Sequence, residues 1–293
     1  MINFTKHKDK YLLFSGVLVF ISILAIVVLG FNLGIELAGG SVLEIEYEDG
    51  RPDIEEVRDS LGTLDRSDFQ VQEISGEDFE GFMIRTTETD EELYGEVMTV
   101  LSGATERQFE SIGPAVGEEL RNMTILAMLL ASGLVVVYIA FAFSGASGPV
   151  SSWQYGVIAT AIAFLHDVLI IVGVFSVLGH FLGVQFTIPI VVALLTTLGY
   201  SLNDTVVIFD RIRENVGRVS GKFEKIVNAS LNQTITRSIN TSLTTLLVLL
   251  AVLFFGGETL TFFILALVLG VVLGTYSSIF LASSLLLEWK ERA

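Results

Sequence analysis

The chain has 293 residues, of which 52% are hydrophobic, and its mean hydropathy is +0.67. A soluble domain would not bury this much apolar material, and the apolar residues come in runs long enough to cross a bilayer, which takes about 20 residues. The formal net charge is −16 and there is no cysteine, which excludes disulfides and thiolate metal sites. The three histidines are scattered, so the sequence predicts neither a metal site nor a cofactor.

Six apolar runs predict six membrane-spanning helices. A basic head (Lys6, Lys8, Lys10) precedes the first run, which is too long for the apolar part of a cleaved signal and therefore predicts an anchor. The predicted spans cover residues 11–29, 123–143, 155–178, 186–209, 239–255 and 260–287. The expected fold is that of a polytopic α-helical membrane protein.

The basic residues predict the orientation of the six spans. Eleven of the 17 basic residues lie in the head, in the 210–237 connection and in the tail after the last span. Because positive charge is retained on the cytoplasmic side, both termini are expected in the cytoplasm and the protein in the cell membrane. The predicted domains are a head with the first helix (1–31), an extracytoplasmic domain (32–121), and five further helices with a cytoplasmic tail (122–293).

The predicted outer domain carries the negative charge of the chain. Residues 32–121 include 24 acidic and 6 basic side chains, a net charge of −18. The whole chain also has few lysines, 6 against 11 arginines. Such a surface suits concentrated salt, where the repulsion between like charges is screened. We predict a halophilic source, with an ordinary acidic domain as the alternative.

The same region predicts a small α+β domain. Residues 41–48 alternate apolar and acidic side chains, which indicates a half-buried strand. Apolar residues have helical spacing after Pro52 and again over residues 90–101. Three further strand-like segments complete the domain, at residues 68–74, 81–87 and 105–112. The order βαββαβ predicts a ferredoxin-like fold between the first two spans.

The fourth predicted span contains an acid before the helix leaves the hydrocarbon. Asn203 and Asp204 lie at this point, where an ionisable side chain costs on the order of 3 kcal/mol and is by default functional. Thr197 and Ser201 precede Asp204 at helical spacing, so these three side chains share one face. A polar face of this kind leaves polar groups unsatisfied in lipid. We expect it to face another polar helix or water.

The fifth span supplies the predicted partner, Arg237. It lies in a polar stripe at the start of this span, together with Gln233, Asn240 and Thr241. Both stripes lie toward the cytoplasmic ends of their helices, so Asp204 and Arg237 are expected to face each other within the membrane. We predict an ion relay of Asp204, Asn203 and Arg237, in which neutralising Asp204 lets the helices shift and moves the outer domain. A purely structural ion pair is the alternative.

The third span adds another candidate, Asp167, near its middle. We include Asp167 in the predicted ion relay, with a role in packing as the alternative. Its neighbour His166 is expected to point elsewhere, because adjacent positions of an α-helix diverge by about 100°. No catalytic residue is predicted.

Five stretches of the chain resemble one family. They are GIELAGGSVLEIEY (34–47), SIGPAVGEEL (111–120), FLHDVLI (164–170), LGYSLNDTVVIFDRIREN (198–215) and SLNQTITRSINTSLTT (230–245). On these motifs, which cover nearly the whole chain, it resembles the SecF family, the smaller membrane subunits of the SecDF protein-export complex in the resistance-nodulation-division superfamily. Two stretches depart from the family pattern: Glu36 and Leu37 replace an aspartate and a phenylalanine, and Ala142 replaces an arginine.

The resemblance implies a function and a set of partners. Members of this family pair with SecD in a twelve-helix unit beside the Sec translocon, where ion flow promotes the export or membrane insertion of proteins. It implies that Asp204 and Arg237 serve this ion coupling. The expected partners are SecD, the translocon, the exported chain and membrane lipid, and nucleic acid is not among them. Together with the acidic outer domain, the resemblance predicts a halophilic archaeal member, and the coupling ion, H⁺ or Na⁺, stays open.

Two other classes of function compete with this interpretation. One is half of a resistance-nodulation-division exporter for small molecules or lipids, although such exporters normally carry both six-helix halves in one chain. The other is an intramembrane protease. Ser201 with His166 resembles a serine protease only distantly, because no glycine follows the serine, and Asp167 with Asp204 lacks the sequence contexts of aspartyl proteases. The sequence therefore predicts a transport subunit and no enzyme.

Overall fold

The structure is a computed structural model that describes residues 2–47, 50–64, 69–75, 79–89, 91–144, 150–257 and 260–292. The chain divides into two compact units. The helical unit comprises Met1–Phe31, Leu126–Val184 and Pro189–Ala293. The sheet unit comprises Asn32–Ile125 and Gln185–Ile188, and so contains most of the acidic residues.

Helices account for most of the chain. In chain order they are α1 (Lys8–Leu29), α2 (Ile35–Ala38), α3 (Ile54–Gly62), α4 (Glu91–Val100), α5 (Pro114–Ala142), α6 (Ser152–Thr160), α7 (Leu169–Leu182), α8 (Ile188–Val216), α9 (Phe223–Phe255), α10 (Thr261–Tyr276) and α11 (Ser283–Arg292). Among the described residues, six helical stretches are long and apolar enough to cross a membrane: Thr5–Leu29, Pro114–Ala142, Trp153–Leu182, Ile188–Val216, Phe223–Phe255 and Thr261–Arg292. The prediction of a polytopic helical membrane protein is confirmed.

The helix α9 begins at Phe223, well before residue 239, where the predicted span starts. Its first turns bury four apolar side chains: Ile226, Val227, Ala229 and Leu231. At the end of α8, the Asn215 amide donates to Ser230 Oγ (2.8 Å) and Gln233 Oε1 (2.9 Å). These first turns of α9 are therefore packed and hydrogen-bonded inside the protein, and hydropathy alone places the start of this helix too late.

Two of the membrane helices widen into π-helical turns. The first π-segment, Ala161–Val168, joins α6 to α7, and the second π-segment, Ser277–Ala282, joins α10 to α11. Neither was predicted, because hydropathy does not distinguish an α-helix from a π-helix. Turns of this kind are rare and occur frequently at functional sites. The first π-segment carries both His166 and Asp167.

The sheet unit contains a four-stranded antiparallel sheet in the order β2-β3-β1-β4. The strands are β1 (Gly40–Tyr47), β2 (Gln70–Ser75), β3 (Glu80–Thr86) and β4 (Ala104–Ile112). With α3 and α4 between them, these strands form the predicted ferredoxin-like βαββαβ arrangement. The predicted element limits agree to within a few residues, and residues 48, 68 and 90, which belonged to predicted elements, lie outside the described residues.

The core of the sheet unit lies between the sheet and its helices. The strand β1 buries Leu43 and Ile45, as its alternation predicts. The strand β3 adds Phe82 and Ile84 to this cluster, and the helices contribute Val57, Leu61, Leu93 and Val97. Each such side chain stabilises the fold by about 1.5–3 kcal/mol on burial. The acidic residues of β1 alternate with these positions and so lie on the other face of the sheet.

Two glycines lead the chain from α2 into β1. Gly39 (φ 80°) and Gly40 (φ 125°) adopt backbone conformations that residues with a Cβ rarely reach. A Cβ at Gly40 would lie 2.4 Å from the Thr86 carbonyl oxygen, and a Cβ at Gly39 would lie 2.7 Å from Pro114 Cα. The glycine pair therefore allows the start of β1 to approach its neighbours closely. The single helical turn α2 before it was not predicted.

Glu36 of α2 interacts electrostatically with Arg85 of β3. Burial lowers the pKa of Arg85 to about 10, and the negative charges of Glu36 and Glu44 oppose this shift. Glu36 thus places a negative charge near a partly buried guanidinium, which favours the charged form of Arg85.

The chain termini and the start of α9 meet at one end of the helical unit. The Ile2 backbone N–H donates to Asn232 Oδ1 (2.9 Å), and the Asn232 amide donates back to the Ile2 carbonyl (2.8 Å). Lys8 Nζ lies 3.4 Å from Glu288 Oε2 and also pairs with Glu291. The three most basic segments of the chain therefore lie together, as the predicted six-span topology requires.

Candidate ion-relay site in the membrane helices

The helix α8 presents a polar face to the interior of the helical unit. Thr197, Ser201 and Asp204 are all buried, so they lie on one side of the helix as their spacing predicts. They pack on two glycines of α10. A Cβ at Gly270 would lie 2.1 Å from Thr197 Oγ1, and a Cβ at Gly274 would lie 3.0 Å from Ser201 Cβ. These small residues let the two backbones approach closely, and α10 covers the polar face.

Asp204 is buried beside a network of hydroxyl groups. Its exposed fraction is 4%, and its Oδ2 atom has no hydrogen-bond partner among the described residues. The Ser242 hydroxyl of α9 lies next to the carboxyl. Ser242 Oγ accepts hydrogen bonds from the hydroxyls of Tyr200 (3.1 Å) and Thr275 (2.6 Å), which leaves its own proton for Asp204. Three membrane helices therefore meet at this carboxyl.

Arg237 lies on α9 within electrostatic range of Asp204. In the part of the chain that the structure describes, no direct ion pair joins the two side chains, and the Arg237 side chain is exposed. Arg237 borders a cavity of about 300 Å³, whose other lining residues include Asp210, Glu214 and Gln233. A polar cavity of this size accommodates several water molecules. Arg237 thus borders space for water, while Asp204 lies in the protein interior.

The predicted site residues of α8 and α9 divide into a buried group and an exposed group. The buried polar side chains of α9 are spaced four residues apart: Ser230, Thr234, Ser238 and Ser242. The predicted stripe lies beside this buried row and is exposed, as is Asn203 of α8. We call these exposed residues the α8–α9 polar surface: Asn203, Gln233, Arg237, Asn240 and Thr241. The structure therefore places Thr197, Ser201 and Asp204 inside the helical unit and the remaining candidates of α8 and α9 on its surface.

Asp167 is fully buried and contacts three side chains from separate positions in the chain. Its Oδ2 accepts hydrogen bonds from Ser201 Oγ (2.5 Å) and Ser277 Oγ (2.9 Å), and its Oδ1 lies 2.7 Å from His166 Nδ1. The prediction that His166 points away from Asp167 is wrong. A π-helical turn has more residues than an α-helical turn, so adjacent side chains are separated by a smaller angle. Asp167 is thereby linked to Ser201, three positions before Asp204.

Several residues in the hydrogen-bond networks around these acids were not predicted. They are Ser242, Thr275 and Ser277, all short hydroxyl side chains that hydropathy does not mark. For Ser242 a signal existed, because α9 repeats Ser or Thr at every fourth position from Ser230. For Ser277 there was no usable pattern, since it lies in the second π-segment, where the α-helical spacing is lost.

Comparison with known proteins identifies the family of the chain. Residues 95–292 match the family described as "Protein export membrane protein SecD/SecF, C-terminal", and residues 24–50 match the "SecD/SecF GG Motif". The chain is 41% identical to the protein translocase subunit SecF of Thermobaculum terrenum, over 100% of this chain and 95% of that relative. The chain belongs to the SecF family. The motif resemblance is thereby confirmed, and Gly39 and Gly40 lie within the matched glycine motif of SecF.

Other SecF and SecDF proteins agree with this assignment. The protein translocase subunit SecDF of Thermus thermophilus is 37% identical over 90% of this chain, which covers 35% of that relative. The crystal structure of SecDF from Thermus thermophilus matches 99% of this chain with a TM-score of 0.85 and 34% identity, and this chain spans 39% of it. A SecDF structure in a super-membrane-facing form matches with a TM-score of 0.66. The SecF fold therefore corresponds to part of the longer SecDF chain.

Proposed function

We propose that this SecF-family chain is an auxiliary subunit of the Sec machinery that acts with SecD and uses an ion gradient through Asp204 and Arg237. Its work would be to promote the export or membrane insertion of proteins. The observation that carries the proposal is Asp204, an acid with 4% exposure in a membrane-crossing helix and with one oxygen unpaired among the described residues. A carboxyl there is costly to keep charged. We infer that it is retained because an ion visits it.

The proposed route of the ion includes the cavity beside Arg237. Water in this cavity of about 300 Å³ brings a proton or a sodium ion to the α8–α9 polar surface. Asp204 lies deeper, next to Ser242. Neutralising Asp204 removes its attraction for Arg237, and this change favours a different arrangement of α8 and α9. Asp167 extends the relay to the first π-segment through Ser201.

An ion relay drives work only when two arrangements of the helices are close in energy. The two SecDF structures match this chain to different degrees, with TM-scores of 0.85 and 0.66. This difference supports more than one arrangement among the relatives. In this chain, movement of α8 and α9 would then be transmitted to residues 32–121.

The proposed orientation follows from the basic residues. The head, the start of α9 and the tail lie at one end of the helical unit, and positive charge favours the cytoplasm for that end. Both termini would then be cytoplasmic and residues 32–121 extracytoplasmic in a cell-membrane protein. The halophilic archaeal source stays a prediction from composition.

SecD is the proposed principal partner. The longer SecDF of Thermus thermophilus, of which this chain covers 35%, supports a partner that supplies the remaining part. The exposed α8–α9 polar surface supports the same inference, because lipid satisfies no polar group. The Sec translocon, the exported chain and membrane lipid are the further proposed partners.

The competing functions find less support. The relatives are named as protein translocase subunits, which favours protein export over half of a small-molecule or lipid exporter. The Ser201 hydroxyl donates to Asp167, whereas a serine nucleophile needs a base such as His166 as its partner. We therefore propose a transport role without catalysis.

The test is translocation by the Asp204→Asn variant, because asparagine keeps the shape of the side chain and removes its charge. The variant is purified with SecD and reconstituted with the Sec translocon in vesicles carrying a proton gradient or, in a separate arm, a sodium gradient. We expect SecD to co-purify as with the wild type and translocation to lose its stimulation by the gradient. The arm in which the wild type is stimulated identifies the coupling ion.

The matched control is Glu224→Gln, which removes an exposed acid from the first turn of α9. Its stimulation by the gradient is expected to equal that of the wild type. If Asp204→Asn is also stimulated to the wild-type level, Asp204 carries no coupled ion and the proposed relay is rejected.

A further inference from the structure

The pair His166–Asp167 has a geometry that packing alone does not require. Both side chains are buried in the first π-segment, with exposed fractions of 3% and 0%. The Asp167 carboxyl contacts Ser201, Ser277 and His166 at 2.5, 2.9 and 2.7 Å. Both hydroxyls donate to Asp167 Oδ2, and with the carboxyl ionised its Oδ1 accepts from His166 Nδ1 as the third donor.

The other ring nitrogen of His166 is free to bind a proton. His166 Nε2 is buried and has no hydrogen-bond partner among the described residues. A neutral imidazole with its proton on Nδ1 carries a lone pair on Nε2. In this state the pair has a net charge of −1 in the membrane interior, where an uncompensated charge is unfavourable. Adding a proton to Nε2 converts the pair into an imidazolium and a carboxylate that compensate each other.

The titratable groups around the pair come from α10 and α8. From α10, the Tyr276 ring lies 6.0 Å from the His166 ring. The Tyr276 hydroxyl contacts Ser15 Oγ (3.3 Å) and the Tyr11 carbonyl (3.4 Å) of α1. From α8, the nearest acid along the chain is Asp204, three positions after Ser201, and its charge is opposed by Arg237 of α9.

We propose that His166 and Asp167 form a second proton-binding site of the relay, with the proton carried on His166 Nε2 and its charge balanced by Asp167. On loading, Nε2 forms an N–H bond with a proton from the relay, and the imidazole becomes an imidazolium. On release, that N–H bond breaks, the proton leaves, and the neutral ring keeps its Nδ1–H. This inference deepens the proposed function and rests on it, since it requires protons in the membrane interior.

The position of the site connects it to the helices that move. Asp167 holds Ser201 of α8 on one side and Ser277 of the second π-segment on the other. When His166 is neutral, the negative charge of Asp167 is stabilised only by hydrogen bonds, from these two hydroxyls and from the Nδ1–H group. When His166 is charged, the imidazolium competes for the same carboxylate. The protonation state of the pair therefore alters the contact of α8 three positions before Asp204.

The experiment is nitrogen NMR of isotope-labelled histidine in vesicles containing the chain with SecD. The other two histidines, His7 and His180, are exposed and are replaced by glutamine, so that His166 gives the only histidine signal. Spectra are recorded between about pH 9 and 5, and we expect both the neutral and the imidazolium form of His166 to be detected. In Asp167→Asn, which keeps a hydrogen-bond acceptor but removes the charge, the imidazolium fraction at mid-range should fall at least about tenfold.

Three controls separate this site from a structural contact. Ser277→Ala removes one donor and leaves the charge pair, so His166 should still titrate. His166→Gln should shift the pH profile of gradient-driven translocation, whereas Glu224→Gln, at an exposed position in the first turn of α9, should leave that profile in place. If the His166 signal keeps one form throughout the pH range, or titrates equally in Asp167→Asn, the second site is rejected.

The experiments on Asp204 and on His166 distinguish failure of the relay from failure of the second site. If Asp204→Asn abolishes stimulation by a proton gradient while His166 stays in one form, the relay stands and the second site fails. If His166 titrates as expected and Asp204→Asn is stimulated normally, the pair binds a proton but the relay through Asp204 fails, and the inference fails as a part of that relay.

Discussion

At the scale of single residues, one hydroxyl determines how Asp204 is held. Ser242 accepts hydrogen bonds from Tyr200 and Thr275 and lies next to the Asp204 carboxyl. One turn earlier on the same helix, Ser238 is equally buried, but its Oγ has no partner among the described residues. Replacing each serine with alanine removes an Oγ atom, which makes hydrogen bonds at Ser242 and makes none at Ser238 among the described residues. The two substitutions therefore isolate the effect of those hydrogen bonds.

We predict that Ser242→Ala destabilises the protein by about 0.6–1.7 kcal/mol, the range measured for hydrogen bonds between membrane helices. The loss arises because Tyr200 and Asp204 are left without this partner. Ser238→Ala is expected to be neutral or slightly stabilising, since it removes an unsatisfied polar group. Unfolding of both variants in detergent, followed by circular dichroism, measures the difference. Equal stabilities would contradict the network assigned to Ser242.

The residues of the site differ in how well the sequence reveals them. Asp204 and Arg237 are visible because a charge inside a membrane helix is costly and therefore informative. Ser242 is not, because serine is common in membrane helices and its importance depends on which helices surround it. The contact of His166 with Asp167 was predicted wrongly, since the prediction assumed α-helical geometry at a π-helical turn.

At the scale of whole elements, the crossing of α8 and α10 decides whether the polar face of α8 stays buried. Gly270 lies against Thr197, and Gly274 lies against Ser201. Any side chain at Gly270 would occupy space that Thr197 fills, which pushes the helices apart and exposes the face that carries Asp204. The close approach of these helices is therefore a condition for the relay.

We predict that Gly270→Ala destabilises the protein by about 1–3 kcal/mol, as overpacking of a filled interior does. The added Cβ would lie 2.1 Å from Thr197 Oγ1 and 2.5 Å from Thr197 Cγ2, so the helices must shift. Thermal unfolding of the chain with SecD in detergent gives the comparison with the wild type. Gradient-driven translocation is expected to decrease as well, because Asp204 loses its surroundings.

The matched control for this substitution is Gly133→Ala in α5. A Cβ at Gly133 meets no atom within 4 Å, and alanine favours a helix over glycine by about 1 kcal/mol. This variant is expected to be as stable as the wild type or more stable. If the two substitutions had the same effect, the change would reflect the helix backbone, and the close contact at Gly270 would have no special role.

The elements themselves were predicted unevenly. The sheet unit follows from its sequence, because the alternation in β1 and the spacing in α3 and α4 each specify which face is buried. The start of α9 could not be predicted from its sequence. Its first turns include polar residues that hydrogen-bond to α8, and a hydropathy pattern does not show such contacts between helices. The π-segments were missed because nothing in the order of apolar residues distinguishes their wider turn.

At the scale of the whole molecule, the helical unit leaves polar groups exposed in its membrane-crossing helices. The α8–α9 polar surface includes Asn203, Arg237 and Asn240, all exposed. Other exposed faces are apolar, for example around Val27 of α1 and Phe141 of α5. Lipid covers an apolar face at no cost but satisfies no polar group. The polar surface therefore requires water or a protein partner, which we propose is SecD.

We predict that SecD lies closer to the α8–α9 polar surface than to the apolar face of α1. The chain has no cysteine, so a thiol-reactive benzophenone attaches only at an introduced one, either Asn240→Cys or Val27→Cys. On illumination of membranes containing both proteins, position 240 is expected to give an adduct with SecD and position 27 mainly products with lipid. Adducts with SecD from position 27 alone would place the partner on the apolar face. The polar residues around Arg237 would then have to be solvated by water reaching them along α8 and α9.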